Sequence, residues 1–398
     1  MRSLDPVDDR DRLLSGAAWA DFCERLRATG ERLLTDRFPA DPTGRAEGHR
    51  HVTRLLVMAL QSHLEFADPD FPAFHRYDDH AVKWGGPNVD NHYLRARIDP
   101  AGTYRIFGDV AGVRELIVST HEGDLQLGQD AVYAERRLAD LVVGADGRLE
   151  LFAGGEPRPG NWLPLDSRAR LVMLRVYVSD WEHDAIGWYG IERLDRAADL
   201  PEPLDPAAVA RSLDAASEWV DRSVTYWRDY LLDGPVRRFV NRLTPPRAAP
   251  GGSSQILYGA GWWELGADEG LLIEVEPPTA EYWSIQLYSS PWFESLDVAN
   301  RLSSYTGQSA AVDADGVARF VVSAADPGLP NWLDTEGRTE GLVSYRWVWS
   351  QDAPQPRTRA GRIAEVVASC PAARRVGPGE RRAQLAARRA GIARRFGR

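Results

Sequence analysis

Hydrophobic positions along this chain fall into alternating helix-like and strand-like stretches. Leu14, Trp19, Phe22, Leu26 and Leu33 recur loosely at helical spacing over residues 11–34. Val52, Leu55, Leu56, Ala59, Leu60, His63 and Leu64 do so more strictly, which predicts a second helix with His63 as a core histidine on its apolar face. Further on the period drops to two. Leu94, Ala96 and Ile98 alternate, as do Trp283, Ile285 and Leu287, the signature of half-buried strands. The run 171–178 divides into an apolar face (Val172, Leu174, Val176, Val178) and a second face of Leu171, Met173, Arg175 and Tyr177. Arg175 on a strand so apolar must pair with a carboxylate or reach a pocket. Between the strand regions, Asp205-Pro206 opens a helix by N-cap and first-turn proline. Its stripe of Val209, Leu213, Ala216, Val220, Val224, Trp227 and Leu231 runs on until Gly234.

The strand regions repeat. Asn161-Trp162-Leu163 returns as Asn331-Trp332-Leu333, each after an Ala-Asp-Gly turn, with 15 positions from Asp146 to Asn161 and 16 from Asp315 to Asn331. Each is followed by an apolar run carrying an arginine, so Arg346 is the counterpart of Arg175. Upstream, Tyr93-Leu-Arg-Ala-Arg-Ile98 aligns with Tyr282-Trp-Ser-Ile-Gln-Leu287, and Asp109-Val110-Ala111 with Asp297-Val298-Ala299. In that register the first copy carries an insertion, because its tyrosine lies 53 residues before the Asp-Gly aspartate and the second lies 33. The repeat predicts a mainly β protein with helical additions: two related jelly-roll-like β-sandwich modules joined by a long helix. The segments are a helical N-terminal part (1–85), a first module (86–200), the bridging helix and linker (201–250), a second module (251–352) and a basic helical tail (353–398). Pro250-Gly251-Gly252-Ser253-Ser254 reads as a flexible link.

Charge and composition narrow the function classes. The net charge is −10, yet residues 357–398 hold twelve arginines against Glu365 and Glu380, so the remainder is near −20 and does not invite nucleic acid. In the tail, Leu385, Ile392 and Phe396 share a helical face between arginine pairs, which fits either docking on the acidic body or weak contact with an anionic surface. Two cysteines define no disulfide framework. No signal-type or membrane-spanning apolar run occurs, and a cytoplasmic location is the expectation. Fourteen tryptophans and thirteen tyrosines suit sheets and pockets for apolar or ring-shaped ligands.

Phosphate loops, dinucleotide fingerprints, nucleophile elbows, His-Glu-x-x-His and CxxC are all missing, so nucleotide-driven and thiolate-zinc chemistry are not indicated. His49 and His51 are two apart and do not face one point. What remains is the stretch from Lys83 to Tyr93. Asp90 and Tyr93 there can serve as acid–base groups, with Asn88 and Asn91 orienting a polar substrate atom; the same side chains can equally cap turns. Arg175 would steady an anion. A second polar cluster, Asp180, Trp181 and Glu182, follows the arginine strand and ends either as a pocket rim or as a solvated loop. Trp84, Trp162, Tyr177 and Trp181 complete the set as apolar walls. No metal ligand is assigned, although the oxygen-rich loop raises calcium as an alternative to the expectation of no cofactor.

Lys83-Trp-Gly-Gly through Asp90-Asn91-x-Tyr93, Ile98-Asp99, Tyr104-Arg-Ile-x-Gly108, and Asn161-Trp162-Leu163 leading to Arg175 and Asp180-Trp181 together resemble the bacterial family of domain of unknown function 1214. The resemblance covers about residues 80–350. It implies a β jelly-roll-like sandwich, often accompanied by the related domain of unknown function 1254, and no settled activity. Family members usually read Asn-Pro-Asp-Asn where this chain has Asn88-Val89-Asp90-Asn91. The functional expectation is an enzyme acting by acid–base chemistry, without nucleotide, on a largely apolar small molecule such as a polyketide, terpenoid, steroid or lipid. Hydrolysis, elimination, isomerisation and cyclisation all fit. The alternatives are a non-catalytic binder of a small molecule or glycan, and a structural assembly protein or homo-oligomer.

Overall fold

The computed structural model describes residues 8–248, 253, 255–370 and 373–397, so most of the predicted link at 250–254 lies outside the described residues. Helices α1 (Asp9–Leu14), α2 (Ala17–Arg32) and α3 (Pro42–Leu60) form the N-terminal part. Asp41 caps α3 by accepting from the Gly44 N–H. A single π turn, Gln61–Glu65, extends α3. Helix α4 (Pro206–Leu232) starts where predicted, with Asp205 accepting from the Ala207 and Ala208 N–H groups. Its stripe, including Trp219, Val220 and Val224, packs with Phe22, Leu55 and Met58 of α2 and α3 and with Met173 of the first module.

The first module is a sandwich. One sheet has the order β1 (His75–Arg76), β2 (Asn91–Arg97), β8 (Leu171–Tyr177), β4 (Glu115–His121), β5 (Val132–Arg137). The other has the order β7 (Trp162–Leu163), β6 (Arg148–Ala153), β3 (Tyr104–Asp109), β9 (Trp188–Arg193). Alternate residues such as Ile106, Val118, Leu151, Leu174 and Val176 fill the space between them. The second module repeats the plan, with β10 (Ile256–Glu264), β16 (Glu340–Ser350), β12 (Ala280–Tyr288) and β13 (Ser304–Thr306) in one sheet. The other sheet is β15 (Asn331–Asp334), β14 (Ala318–Ser323), β11 (Glu269–Val275) and β17 (Arg357–Arg362). Trp263, Ile273, Ile285, Phe320, Tyr345 and Trp347 lie in its core. Both modules outrun the predicted borders: β1 precedes residue 86, and β17 pairs with β11 beyond residue 352.

Strand for strand, β2–β9 correspond to β10–β17. The equivalence corrects the register read from sequence. Arg175 pairs across the sheet with Tyr93, and Arg346 with Tyr258. On their other sides Arg175 faces Ile117 and Arg346 faces Ser284. Tyr258 is therefore the counterpart of Tyr93, while Tyr282 belongs to the strand equivalent to β4. With Tyr258 in place the intervals to the Asp-Gly turns become 53 and 57 residues, and the apparent insertion disappears.

The Asn-Trp-Leu element is a corner device in both copies. Asn161 Nδ2 donates to the Val142 and Glu150 carbonyls and Oδ1 accepts from the Val142 N–H. Asn331 does the same with Ala311 and Arg319. Trp162 and Trp332 each donate Nε1–H to a carbonyl at 3.0 Å, of Gly154 and Ser323. These bonds tether a short parallel strand to the end of a longer one.

In the tail, α5 (Ile363–Ala368) leads to α6 (Pro378–Phe396). Ile392 and Phe396 are buried against Val298, Val89 and Trp181, so the apolar face of α6 docks on the body. The arginine pairs split. Arg382, Arg389 and Arg394 face outward, while Arg381, Arg388 and Arg395, spaced by seven, face inward. Arg381 binds Asp326, and Arg388 donates to the Val298 and Ser304 carbonyls of the second module. Arg395 donates to the Asn91 carbonyl of the first, and both Arg388 and Arg395 lie over the Trp181 ring. Helix α6 thus straps the two modules together. Among the described residues no helix is long and apolar enough to cross a membrane.

Asn331 is 3% exposed and Asn161 only half-buried, so loss of the same three hydrogen bonds should cost different amounts. Asn331→Ala is expected to destabilise by about 2–3 kcal/mol and Asn161→Ala by about 1 kcal/mol or less, read from urea unfolding. Equal costs would contradict this account of the corner.

Candidate functional site

The predicted stretch from Lys83 to Tyr93 lies where the modules and α4 meet. Gly85 and Gly86 both have positive φ, and a Cβ on either would strike Trp227 or Phe293. This bare backbone lets the loop pass between α4 and the second module. Trp84 packs edge-on against Trp227 and donates to Ser223 Oγ at 3.3 Å, so it forms a joint with α4. Lys83, the only lysine, donates to the Ser295 and Leu296 carbonyls.

Asp90 is 1% exposed and its two oxygens are fully engaged. Oδ1 accepts from Trp181 Nε1 at 2.8 Å, and Oδ2 accepts from the Tyr282 hydroxyl at 2.6 Å and Gln286 Nε2 at 3.0 Å. Asn88 Oδ1 accepts from Gln286 and the Asp90 N–H and lies 3.0 Å from the Tyr282 hydroxyl, whose one proton goes to Asp90, and Asn88 Nδ2 donates to Asn91 Oδ1. Burial pushes the Asp90 carboxyl above the ordinary aspartate value, and the Tyr282 hydroxyl and the Arg395 charge pull it part of the way back. The groups around Asp90 are N–H and O–H donors, which suits a carboxylate held as an anchor and not a cation. The cavity beside it, lined by Asp78, His80, Asn88, Asn91 and Tyr93, measures ≈ 10 Å³, room for about one water.

The second polar cluster divides. Asp180 accepts from the Glu182 and His183 N–H groups and from His183 Nδ1, and Asp184 closes the turn from the other side. Glu182 is exposed. Of this cluster only Trp181 reaches Asp90. Trp162 lies in the outer sheet of the first module as a corner residue, away from the loop.

The other predicted residues, Tyr93, Arg175 and Tyr177, come together on a different surface: the face of the first module's inner sheet that meets the second module. Tyr177 packs against Tyr282 and Trp349 there, at ring distances of 4.9 and 5.3 Å. From the second module the same surface receives Tyr258, Tyr282, Ser284, Gln286, Tyr288 and Arg346, the alternate side chains of β10, β12 and β16. Arg175 sits on the central strand of its sheet, yet it and Tyr258 keep accessible surface. We read that surface as the wall of a cleft between the modules. Tyr230 of α4, 49% exposed, lies close enough to Arg346 and Tyr258 to feel the arginine's charge and marks the mouth.

Neither arginine of this cleft has an ion pair among the described residues, although Glu135 and Asp78 act on its tyrosines. Among the described residues, Arg175 has no hydrogen bond or ion pair, and its Nη1 is buried without a partner. Arg346, 7% exposed, donates Nη2 to the Gly86 carbonyl at 3.0 Å, while its Nη1 is likewise unpartnered. Its guanidinium lies 5.8 Å from the ring centres of Tyr258 and Tyr288. Tyr93 Oη accepts from the Asn88 N–H at 3.1 Å, which leaves its own proton free. Burial raises the Tyr93 and Tyr258 hydroxyls, and both arginines pull them back down. Of this group, Arg346 had been marked in the sequence only as a repeat partner. Tyr258 was missed because the register paired Tyr93 with the wrong strand.

Fold and cleft together define a two-module β-sandwich protein whose repeat-related Tyr–Arg pairs converge between the modules. The chain belongs to the family described as Protein of unknown function (DUF1214), whose model matches residues 267–351, within the second module. It is similar along most of its length to the crystal structure of an uncharacterised protein from Burkholderia cenocepacia. Identity is 34% and the TM-score 0.82, over 89% of this chain and 99% of that one. A Vibrio parahaemolyticus structure matches at 12% identity and a TM-score of 0.44, over 79% of this chain and 98% of that one. No curated protein matches the chain.

The Asp90 anchor carries a pH signature. With its native carboxyl above the unfolded value, the contribution favours the fold at low pH and is lost as pH rises through the native value. Relative to Asp90→Asn, the wild type is expected to lose stability as pH rises from about 4, measured by urea unfolding of both proteins. A difference that stays flat, or grows in favour of the wild type, would contradict the assignment.

Proposed function

We propose that this protein binds a small organic anion with substantial aromatic or apolar surface in the cleft between its modules. Arg175 and Arg346 take the anionic group, and Tyr93 and Tyr258 hydrogen-bond it and line its path. The observation that carries the reading is the bare guanidinium of Arg175. An isolated buried charge is expensive, and proteins keep one when a ligand supplies the countercharge. Planar, bidentate recognition of carboxylate is what arginine does better than lysine. The tyrosines add flat contact area with a polar tip.

The acid–base version of this function is a second reading, favoured by the free Tyr93 proton beside the arginine pair. In it a phenol, not Asp90, donates the proton, and the guanidinium groups stabilise the developing negative charge. Asp90 holds the loop that carries Tyr93.

Arg175→Met separates ligand binding from folding. It removes an unpaired buried charge, so the ligand-free protein should become more stable by about 1–3 kcal/mol in urea unfolding. The same variant should bind arylcarboxylates, screened by calorimetry, at least about 100-fold more weakly than wild type. A loss of stability in Arg175→Met, or unchanged carboxylate binding, would sink the proposal.

A further inference from the structure

A separate cavity lies on the same sheet face but at the other end of β2, where the π turn after α3 meets the start of β8. It measures ≈ 30 Å³, about two to three times what one water needs. His63, His75, Arg95, Arg97 and Asp124 line it. The π turn is a local underwinding of the helix of a kind that concentrates at functional positions, and it places Ser62 and His63 at the cavity wall.

The hydrogen bonds here leave an excess of donors. Arg95 Nη1 binds Asp124 Oδ1 at 3.0 Å, and Asp124 Oδ2 accepts from Trp219 Nε1 at 2.7 Å, so each oxygen of this carboxylate has a partner. Arg95 also donates to Ser62 Oγ, while its Nε is buried without a partner. The Arg97 side chain meets His63 Nδ1 at 3.4 Å, and among the described residues it has no ion pair. Because arginine only donates, His63 Nδ1 must accept, and its proton sits on Nε2, again buried and unpartnered. His75 Nε2 meets Ser62 Oγ at 3.2 Å, and its Nδ1 leans toward the Ala73 carbonyl without hydrogen-bond geometry. Burial with the Arg97 and Arg95 charges holds His63 at about 4, and burial with Arg95 holds His75 at about 3, so both rings are neutral at pH 7. Two arginines face one carboxylate, and the other acceptors lining the cavity, such as the Gln129 amide, are neutral and do not balance the second charge.

We infer that this cavity is a binding site for a small monovalent anion of halide or formate size, held by Arg97 and the His63 Nε2–H. A water would supply acceptors without neutralising the excess charge. The volume excludes anything as large as the ligand proposed for the intermodule cleft. Through Asp124 and Trp219 an occupant here would brace α4 against the first module.

The test is thermal unfolding of the full chain at constant ionic strength, with sodium gluconate replaced stepwise by sodium chloride or sodium formate. Wild type and Arg175→Met should both show a saturable rise in Tm with chloride or formate. Arg97→Gln should show none, while keeping a Tm in gluconate close to wild type. Bromide-soaked crystals should give an anomalous peak in the cavity. Three outcomes would overturn the inference: equal Tm in all three salts, a saturable rise that survives Arg97→Gln, or only an ordered water in the cavity. Should Arg97→Gln misfold, the bromide map of the wild-type protein decides alone.

Discussion

Everything specific to this molecule depends on two sheets burying their polar faces against each other. In most sandwiches the outward face of a sheet meets water and its polar side chains need no protein partner. Here β8, β12 and β16 turn Arg175, Tyr282, Ser284, Gln286, Tyr288 and Arg346 toward the other module. Each such group must then find a partner or be left unsatisfied at a cost of about 1–3 kcal/mol, more when charged. The Asp90 loop answers most of that demand, with one carboxylate and one amide receiving four of the hydrogen bonds across the joint or beside it. Helix α6 completes it from outside through Arg388 and Arg395.

The demand is not fully met, and the remainder is informative. Duplication placed a tyrosine and an arginine at matching positions of neighbouring strands in each module, and packing the modules face to face brought the two pairs together. Their tyrosines and arginines act on one another electrostatically, and among the described residues no carboxylate forms an ion pair with either arginine. A structure that satisfies Asp90 with three donors and leaves Arg175 bare distinguishes an anchor from a site.

The architecture was legible because it rests on local rules: alternation for strands, Asp205-Pro206 and Gly234 for α4, and Asn-Trp-Leu for the corner. Asn161 and Asn331 repeat because the same three hydrogen bonds close each module. The site was only half legible. Arg175 could be singled out, since a charge on a strand with one wholly apolar face demands an explanation. Tyr258 and Gln286 could not, because the second face of a half-buried strand looks the same whether it meets water or another module. The register error had a similar origin. Tyr282 and Tyr258 both precede alternating strands, and only the cross-strand pairing with Arg346 tells which is equivalent to Tyr93. Asp180 and Glu182 fitted either a pocket rim or a solvated loop, and the Asp180 side chain caps its own turn, a short-range bond that spacing alone does not reveal.

The most direct measurement is a bromide-soaked crystal of the wild-type protein, read by anomalous scattering at the joint between the modules. The account predicts a peak in contact with the guanidinium groups of Arg175 and Arg346, with Asp90 still bound to Trp181, Tyr282 and Gln286. An empty map there, with Arg175 instead paired to a carboxylate of the protein, would contradict it.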